Sequence, residues 1–404
     1  MAGPTIRDVR AITTSPGEGN IQRRLIVVKV ETSEPGLYGL GCGTFTQRHS
    51  AVKLVVDEFL KPLLVGRDPR NIEDTWQTVH VNAYWRSGPV MNSALSGVDM
   101  ALWDIAGKLA GMPVYRLLGG KCREAAAVYR HADGGTPEAV EENVRRYMAQ
   151  GYRYIRAQIG GYGGKAALPG IPEPVAAGAY YDPDAYMRSV LGLFDHLRDR
   201  IGFEVNLLHD VHERLVPIEA VRFAKALEPY RLYFLEDILP PEQIEWFAMI
   251  RQQCATPLAM GELFVNTNEW RPLVERRLID FIRCHISAIG GLTPARKIAA
   301  MCEILGIRTA WHGPGDVSPV GHACNVHLDV ACPNFGVQEW SGFLDVEREI
   351  FPGCPEERNG SVYPNDQPGF GIDLDERLAA RYPCPDGVLE WTQARIPDGT
   401  PVYP

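Results

Sequence analysis

The stretch "VNLLHDVHE", residues 205–213, decides the fold. An apolar run, 205–208, ends abruptly in His209, Asp210, Val211, His212 and Glu213. A buried strand that stops in ionisable and metal-binding side chains has its end at a polar site. The event recurs along the chain. Glu236 ends "LYFLED" and Glu262 closes "TPLAMGE"; Glu236 lies 26 residues beyond Asp210, and Glu262 a further 26. Each interval fits one strand and one helix. Neighbouring parallel strands lie about 4.8 Å apart, so three carboxylates at equivalent heights converge. Alone they would repel and raise one another's pKa. A divalent cation relieves this, and hard oxygen ligands without a thiolate favour Mg²⁺ over Zn²⁺. In the competing reading each carboxylate pairs with a Lys or Arg. Three acidic strand ends at equal spacing favour the metal.

Outward from this core the same rhythm continues. Short apolar runs, "AAVYRHAD", "YRYIRAQIG", "FEVNLLHD", "LYFLED", "TPLAMGE", "DFIRCHIS", "IRTAWHG" and "FGVQEW", are each expected to be followed by a helical segment, such as "PIEAVRFAKALEP" and "LTPARKIAAMCEILG". Eight such runs predict an α/β fold with a parallel barrel over 121–345. No literal sequence repeat accompanies it. Residues 1–120 read as a smaller α+β domain. "RLIVVKVET" (24–32) alternates as a strand, and "PGLYGLGCGT" adds turn glycines and a second strand. "NSALSGVDMALWDIAGKLAG" is helical, with Asn92 or Ser93 as N-cap and Gly111 past its end. Residues 346–404, rich in Pro and Gly, are expected to pack back on the N-terminal domain. The Gly/Pro/Ala-rich segment 160–183 follows a barrel strand and is expected to form a lid, with plain disorder as the alternative.

Composition bounds the function. The 404 residues, 45% hydrophobic and 23% charged, suffice for a large core and a second domain. A net charge of −9 argues against nonspecific binding to nucleic acid or anionic membranes. No apolar run reaches transmembrane length, and the first twenty residues lack a signal peptide's apolar core. A cytoplasmic protein is the expectation. Nine scattered cysteines with no Cys-x-x-Cys read as reduced thiols.

Other strand ends offer different chemistry. "YRHAD" carries His131, and "YIRAQIGGYGG" carries Arg156, Gln158 and Tyr162. "FIRCHIS" carries Arg283 and His285, "RTAWHGPGD" carries His312 and Asp316, and "GVQEW" carries Glu339. His212, two residues past Asp210, shares its face; His209 is out of phase and reads as packing. His285, two residues past Arg283 and so in phase with it, could reach the rim but is taken as a residue behind the site.

Asp-Glu-Glu on successive strands, with "ALSGVDMALWDIAGKLAGMPVYRLLGG" before it, resembles the enolase superfamily. "LLHDVHERLVPIEA", "LIDFIRCHISAIGGLTPARKIA", "HGPGDVSPV" and "PNFGVQEW" are similar to its mannonate dehydratase subgroup, often labelled the D-galactonate dehydratase family. The resemblance spans essentially the whole chain. It implies a (β/α)7β-type TIM barrel with an N-terminal α+β capping domain. It implies Mg²⁺ on Asp210, Glu236 and Glu262, His212 as general acid, and Tyr162 assisted by Arg156 as base. Substrate contacts fall on His131, Glu262, Arg283, His312, Asp316 and Glu339, with Gln47 from the capping domain. The implied activity is dehydration of a D-mannonate- or D-gluconate-like acid sugar to a 2-keto-3-deoxy acid, in a homo-oligomer, a tetramer or octamer.

The chain departs from the subgroup's pattern at the pocket. Thr46 and Gln47 stand where many mannonate dehydratases carry asparagine, and Pro314 stands where efficient ones have alanine. The last residues, "DGTPVYP", lack the tryptophan often found there, and matching Tyr162 to the catalytic tyrosine needs a gap. Weak mannonate turnover is therefore expected. A metabolite-binding descendant without dehydratase activity and a sugar-acid epimerase are the alternatives; the absence of a strand-end lysine base argues against a lysine-type racemase.

Overall fold

A computed structural model of the chain describes residues 3–17, 21–161 and 176–404. It has two compact units. One comprises Met1–Ala127, Glu262–Asn268 and Cys284–Gly387; the other comprises Val128–Gly261, Glu269–Arg283 and Val388–Pro404.

In the first unit, strands Ile6–Thr14, Leu25–Thr32 and Tyr38–Cys42 form an antiparallel sheet in that order. Its register pairs Val9 with Val30 and Val28 with Gly41. The sheet packs on the helix Pro89–Ala110, whose buried face includes Leu95, Val98, Leu102 and Ile105. The glycines of "YGLGCG" serve this contact and not a turn. A Cβ on Gly41 would sit 2.0 Å from the Gly97 carbonyl oxygen, so only glycine lets strand and helix meet this closely. The helix ends at Gly111, left-handed at φ 64°, as expected. Its start differs from the sequence reading. Pro89 opens the helix, with Gly88 as N-cap. Proline at the first position lacks only an N–H that has no helical partner there. Asn92 lies inside the first turn and donates instead to the carbonyls of Val265 and Ala288, at 2.6 and 2.7 Å.

The chain from 346 divides between the units. Residues up to Gly387 join the N-terminal sheet: Glu376 pairs with Arg10 and Lys29 at 2.6 and 2.8 Å, and Asp373 accepts from the Tyr38 hydroxyl. Val388–Pro404 belongs to the second unit. There Ala394–Arg395 pairs in parallel with Ala179–Tyr180, the end of the segment expected to form a lid. Most of that segment, 162–175, lies outside the described residues.

In the second unit, parallel strands run in chain order: Ala126–Gly134 from Val128 onward, Tyr154–Ile159, Asn206–Asp210, Leu235–Glu236, Leu258–Met260 and Phe281–Ile282. Helices Pro137–Ala149, Pro183–Ile201 and Pro217–Ala226 intervene, each opened by proline. Thr136 and Asp182 cap the first two by accepting backbone N–H bonds. In the first unit Arg308–Thr309 and Gln338–Glu339, with Leu292–Ile304 and Pro319–Ala331, continue the alternation. No helix among the described residues is long and apolar enough to cross a membrane.

Asp104 ties the first unit together. It is fully buried and accepts from Leu40 N–H at 3.1 Å, Phe370 N–H at 2.8 Å and Lys108 Nζ at 2.7 Å. Removing it strands two buried donors, each costing about 1–3 kcal/mol. Asp104→Ala is expected to lose roughly 3–5 kcal/mol of stability in urea denaturation. A loss below about 1 kcal/mol would show that solvent replaces the carboxylate.

Candidate functional site

Within the second unit two of the three acidic strand ends lie side by side, while Glu262 belongs to the first unit. Asp210 and Glu236 are direct cross-strand partners, both fully buried. Glu236 is in register with Ala259, three residues before Glu262. Left-handed residues lie just past both buried carboxylates: His212 at φ 54° and Glu213 at 62° beyond Asp210, and Asp237 at 37° after Glu236. For non-glycine residues this costs about 1–2 kcal/mol each and persists only where surroundings over-determine it. Here Asp210 Oδ1 accepts the His212 N–H at 2.8 Å, and the Asp237 carbonyl accepts the Glu213 N–H at 2.8 Å.

Two arginines face the carboxylates. Arg156 Nη1 lies 3.1 Å from Asp210 Oδ2 and 3.9 Å from Glu236 Oε1. Arg283, without solvent exposure, reaches Glu236 Oε1 at 2.5 Å. Its Nη2 also donates to the Tyr129 hydroxyl at 2.9 Å, which donates to Glu236 Oε2 at 3.3 Å. Arg156 Nη2 donates to His131 Nδ1 at 3.2 Å, so His131 carries its proton on Nε2. The cation pairing of the competing reading is thus present beside the carboxylates. The oxygen-only donor set of Asp210 and Glu236 suits a hard cation such as Mg²⁺.

His212 is held by its ring. Nδ1 lies 2.6 Å from the Pro404 oxygen, which only accepts, so Nδ1 donates. Trp391 meets the ring edge-on, centroids 5.6 Å apart. His209 is packing, as expected from its phase: Nδ1 donates to the Ala157 carbonyl at 2.9 Å, and Nε2 accepts from Tyr186 at 2.8 Å. Burial pushes its pKa down to about 4. Tyr162 lies outside the described residues, but the carbonyl of Gly161 before it accepts from Arg214 at 3.0 Å.

In the first unit, His312 Nε2 lies 3.2 Å from Glu262 Oε2 and 3.8 Å from Glu339 Oε2. Glu339 Oε2 also accepts the Gly313 N–H at 3.0 Å, fixing the turn into Pro314. A ring nitrogen of His285, one of His312 and an oxygen of Asp316 lie within 4.8 Å of one another. Gln47 sits half-buried in the turn Thr46–Arg48, its carbonyl accepting from Arg48. Tyr129, Trp391 and His285 are the residues the sequence reading did not place in the site. Tyr129 precedes His131 by two in a strand, a signal the alternation carries. Trp391 comes from a distant segment and gives none.

Residues 8–119 match the mandelate racemase/muconate lactonizing enzyme N-terminal domain, and 139–378 match the enolase C-terminal domain-like family. A D-galactonate dehydratase family member from Salmonella virchow is 55% identical over the full length of both chains. One named RspA from Pantoea ananatis is 56% identical over 99% of each. The crystal structure of an enolase from Pantoea ananatis with bound D-gluconate and Mg superposes with a TM-score of 0.96 at 56% identity, covering both chains fully. That of a mandelate racemase/muconate lactonizing enzyme from Jannaschia sp. CCS1 gives 0.82 at 25% identity, over 96% of this chain and 99% of that one. The fold is an N-terminal capping domain followed by a barrel-like α/β domain. The chain belongs to the enolase superfamily and, within it, to the D-galactonate dehydratase family, enzymes of the hydro-lyase class.

Proposed function

We propose that the chain is a Mg²⁺-dependent dehydratase that converts a D-gluconate-like acid sugar to its 2-keto-3-deoxy acid. One observation carries the reading: two fully buried, in-register carboxylates, Asp210 and Glu236, beside His212, whose ring is held through Nδ1 by the Pro404 oxygen. The D-gluconate and Mg in the Pantoea ananatis structure support it.

Asp210, Glu236 and Glu262 hold the cation. Mg²⁺, when bound, lowers the energy of the enediolate that forms at the substrate carboxylate. Tyr162, with Arg156 favouring its phenolate, takes the proton from C2. His212 protonates the departing 3-hydroxyl from Nε2. Water leaves, and the enol becomes the 2-keto acid. His131, Arg283, His312, Asp316, Glu339 and Gln47 orient the sugar. An epimerase would use a second base on the opposite face of C2, for which His312 is the candidate.

Incubation with Mg²⁺ and a panel of acid sugars, D-gluconate first, tests the reaction. The expected product is a 2-keto-3-deoxy acid; its absence across the panel, with metal bound, contradicts the reading.

The metal is tested separately. Glu236→Gln is expected to abolish Mg²⁺ binding in calorimetry while circular dichroism keeps the folded signature. Unchanged binding would move the cation away from this strand end.

On mannonate we expect turnover below ordinary enzyme rates, which are on the order of 1–1000 per second. Gly313 and Pro314 form a stiff turn after His312: a Cβ on Gly313 would meet Gln338 Nε2 at 2.5 Å, and Pro314 fixes its own φ. A misplacement of about 1 Å can cost roughly a hundredfold in rate. Pro314→Ala is expected to raise mannonate turnover in a steady-state assay; fast turnover by the natural sequence would refute the cause.

A further inference from the structure

His285 was expected behind the site, yet its hydrogen bonding gives it a different role. Its ring is largely buried, at 8% exposure, beside that of His312 with centroids 5.1 Å apart. The backbones of the two residues form a parallel bridge, and the His312 N–H donates to Cys284, so the rings are held side by side.

Nδ1 of His285 accepts the Ser287 N–H at 3.2 Å. A ring nitrogen that accepts carries no proton, so the neutral ring has its hydrogen on Nε2. Burial and the neighbouring His312 push its pKa down to about 3, which keeps the ring neutral. Among the described residues Nε2–H has no acceptor. Nearby, Asp316 Oδ1 is a buried acceptor without a donor. A donor without an acceptor among the described residues and a buried acceptor without a donor thus belong to one cluster, complementary in sign.

The same three side chains have a spacing compatible with a metal. The tautomer argues against that occupant. Ligation through Nε2 would require stripping its proton while Nδ1 still accepts from Ser287, leaving an imidazolate. A hydroxyl needs no such step. It accepts one hydrogen bond and donates another, matching an N–H beside a carboxylate.

We propose that His285 is a direct contact for the acid sugar, its Nε2–H donating to one chain hydroxyl that donates in turn to Asp316. The inference rests on the acid-sugar reading above and adds a specificity-determining residue to it. A site built to hydrogen-bond a hydroxyl rejects analogues that lack it, because its buried polar groups are then left unpaired.

Two near-isosteric substitutions separate the ring's functions. Asparagine places its oxygen near Nδ1, keeping the Ser287 bond and losing the Nε2 donor. Glutamine reaches the Nε2 position with an NH₂. Calorimetry on the Mg²⁺-loaded protein would measure D-gluconate and its 4-, 5- and 6-deoxy analogues. His285→Asn is expected to weaken gluconate about tenfold, and His285→Gln to restore it to within about threefold. One deoxy analogue is expected to bind His285→Asn no worse than it binds wild type, naming the hydroxyl. Wild-type affinity in His285→Asn, or equal weakening for all analogues, overturns the contact and leaves the dehydratase reading standing. No binding of any acid sugar by the wild type overturns both. Independently, ¹⁵N NMR at neutral pH should find Nε2 protonated; a proton on Nδ1 overturns the inference alone.

Discussion

Asp210 and Glu236 are two carboxylates without solvent, side by side on neighbouring strands. Buried ionised groups are costly unless paired and hydrogen-bonded. Arg156 and Arg283 answer that requirement, and Tyr129 spans Glu236 and Arg283 with its hydroxyl. Much of the surrounding geometry depends on this arrangement. Arg156, fixed by Asp210, fixes the tautomer of His131. Asp210 also pins the backbone of His212 in its left-handed conformation. A charge-balanced set of this kind resembles a site awaiting charge more than a core seeking stability. Burial of ion pairs is weak evidence for stability, whereas the oxygen donors of Asp210 and Glu236 suit a hard divalent cation.

The histidines divide by environment. His209 is neutral and inert, both nitrogens satisfied by Ala157 and Tyr186. His285 is neutral with one donor unspent. His212 has one nitrogen held by Pro404 and an aromatic wall from Trp391. These differences follow from which hydrogen bond the other ring nitrogen makes.

What the sequence made legible was periodic. Asp210 and Glu236 could be placed at one height because equal strand–helix intervals put equivalent residues at equivalent strand ends. His212 and His209 could be separated because side chains alternate along a strand. What escaped depended on distant segments. Asn92 looked like a helix cap, since local capping rules do not see the carbonyls of Val265 and Ala288 that it serves. The glycines of "YGLGCG" looked like turn residues until the helix carrying Gly97 was seen against them. Trp391 and the tail that brings it to His212 have no local pattern to announce them. Strand phase allowed His285 to reach the rim, but its tautomer depends on the Ser287 N–H, which phase does not show.

The central claim is that the strand ends perform enolisation, with His212 needed only for the departure of the hydroxyl. Its most direct test is exchange of the C2 proton in D₂O with Mg²⁺, followed by ¹H NMR on the acid sugar that the wild type dehydrates. His212→Asn should lose the C2 proton signal at a rate near wild type while forming no 2-keto-3-deoxy acid. Loss of exchange in step with loss of product would contradict the account, because proton abstraction and hydroxyl departure would then share a single group.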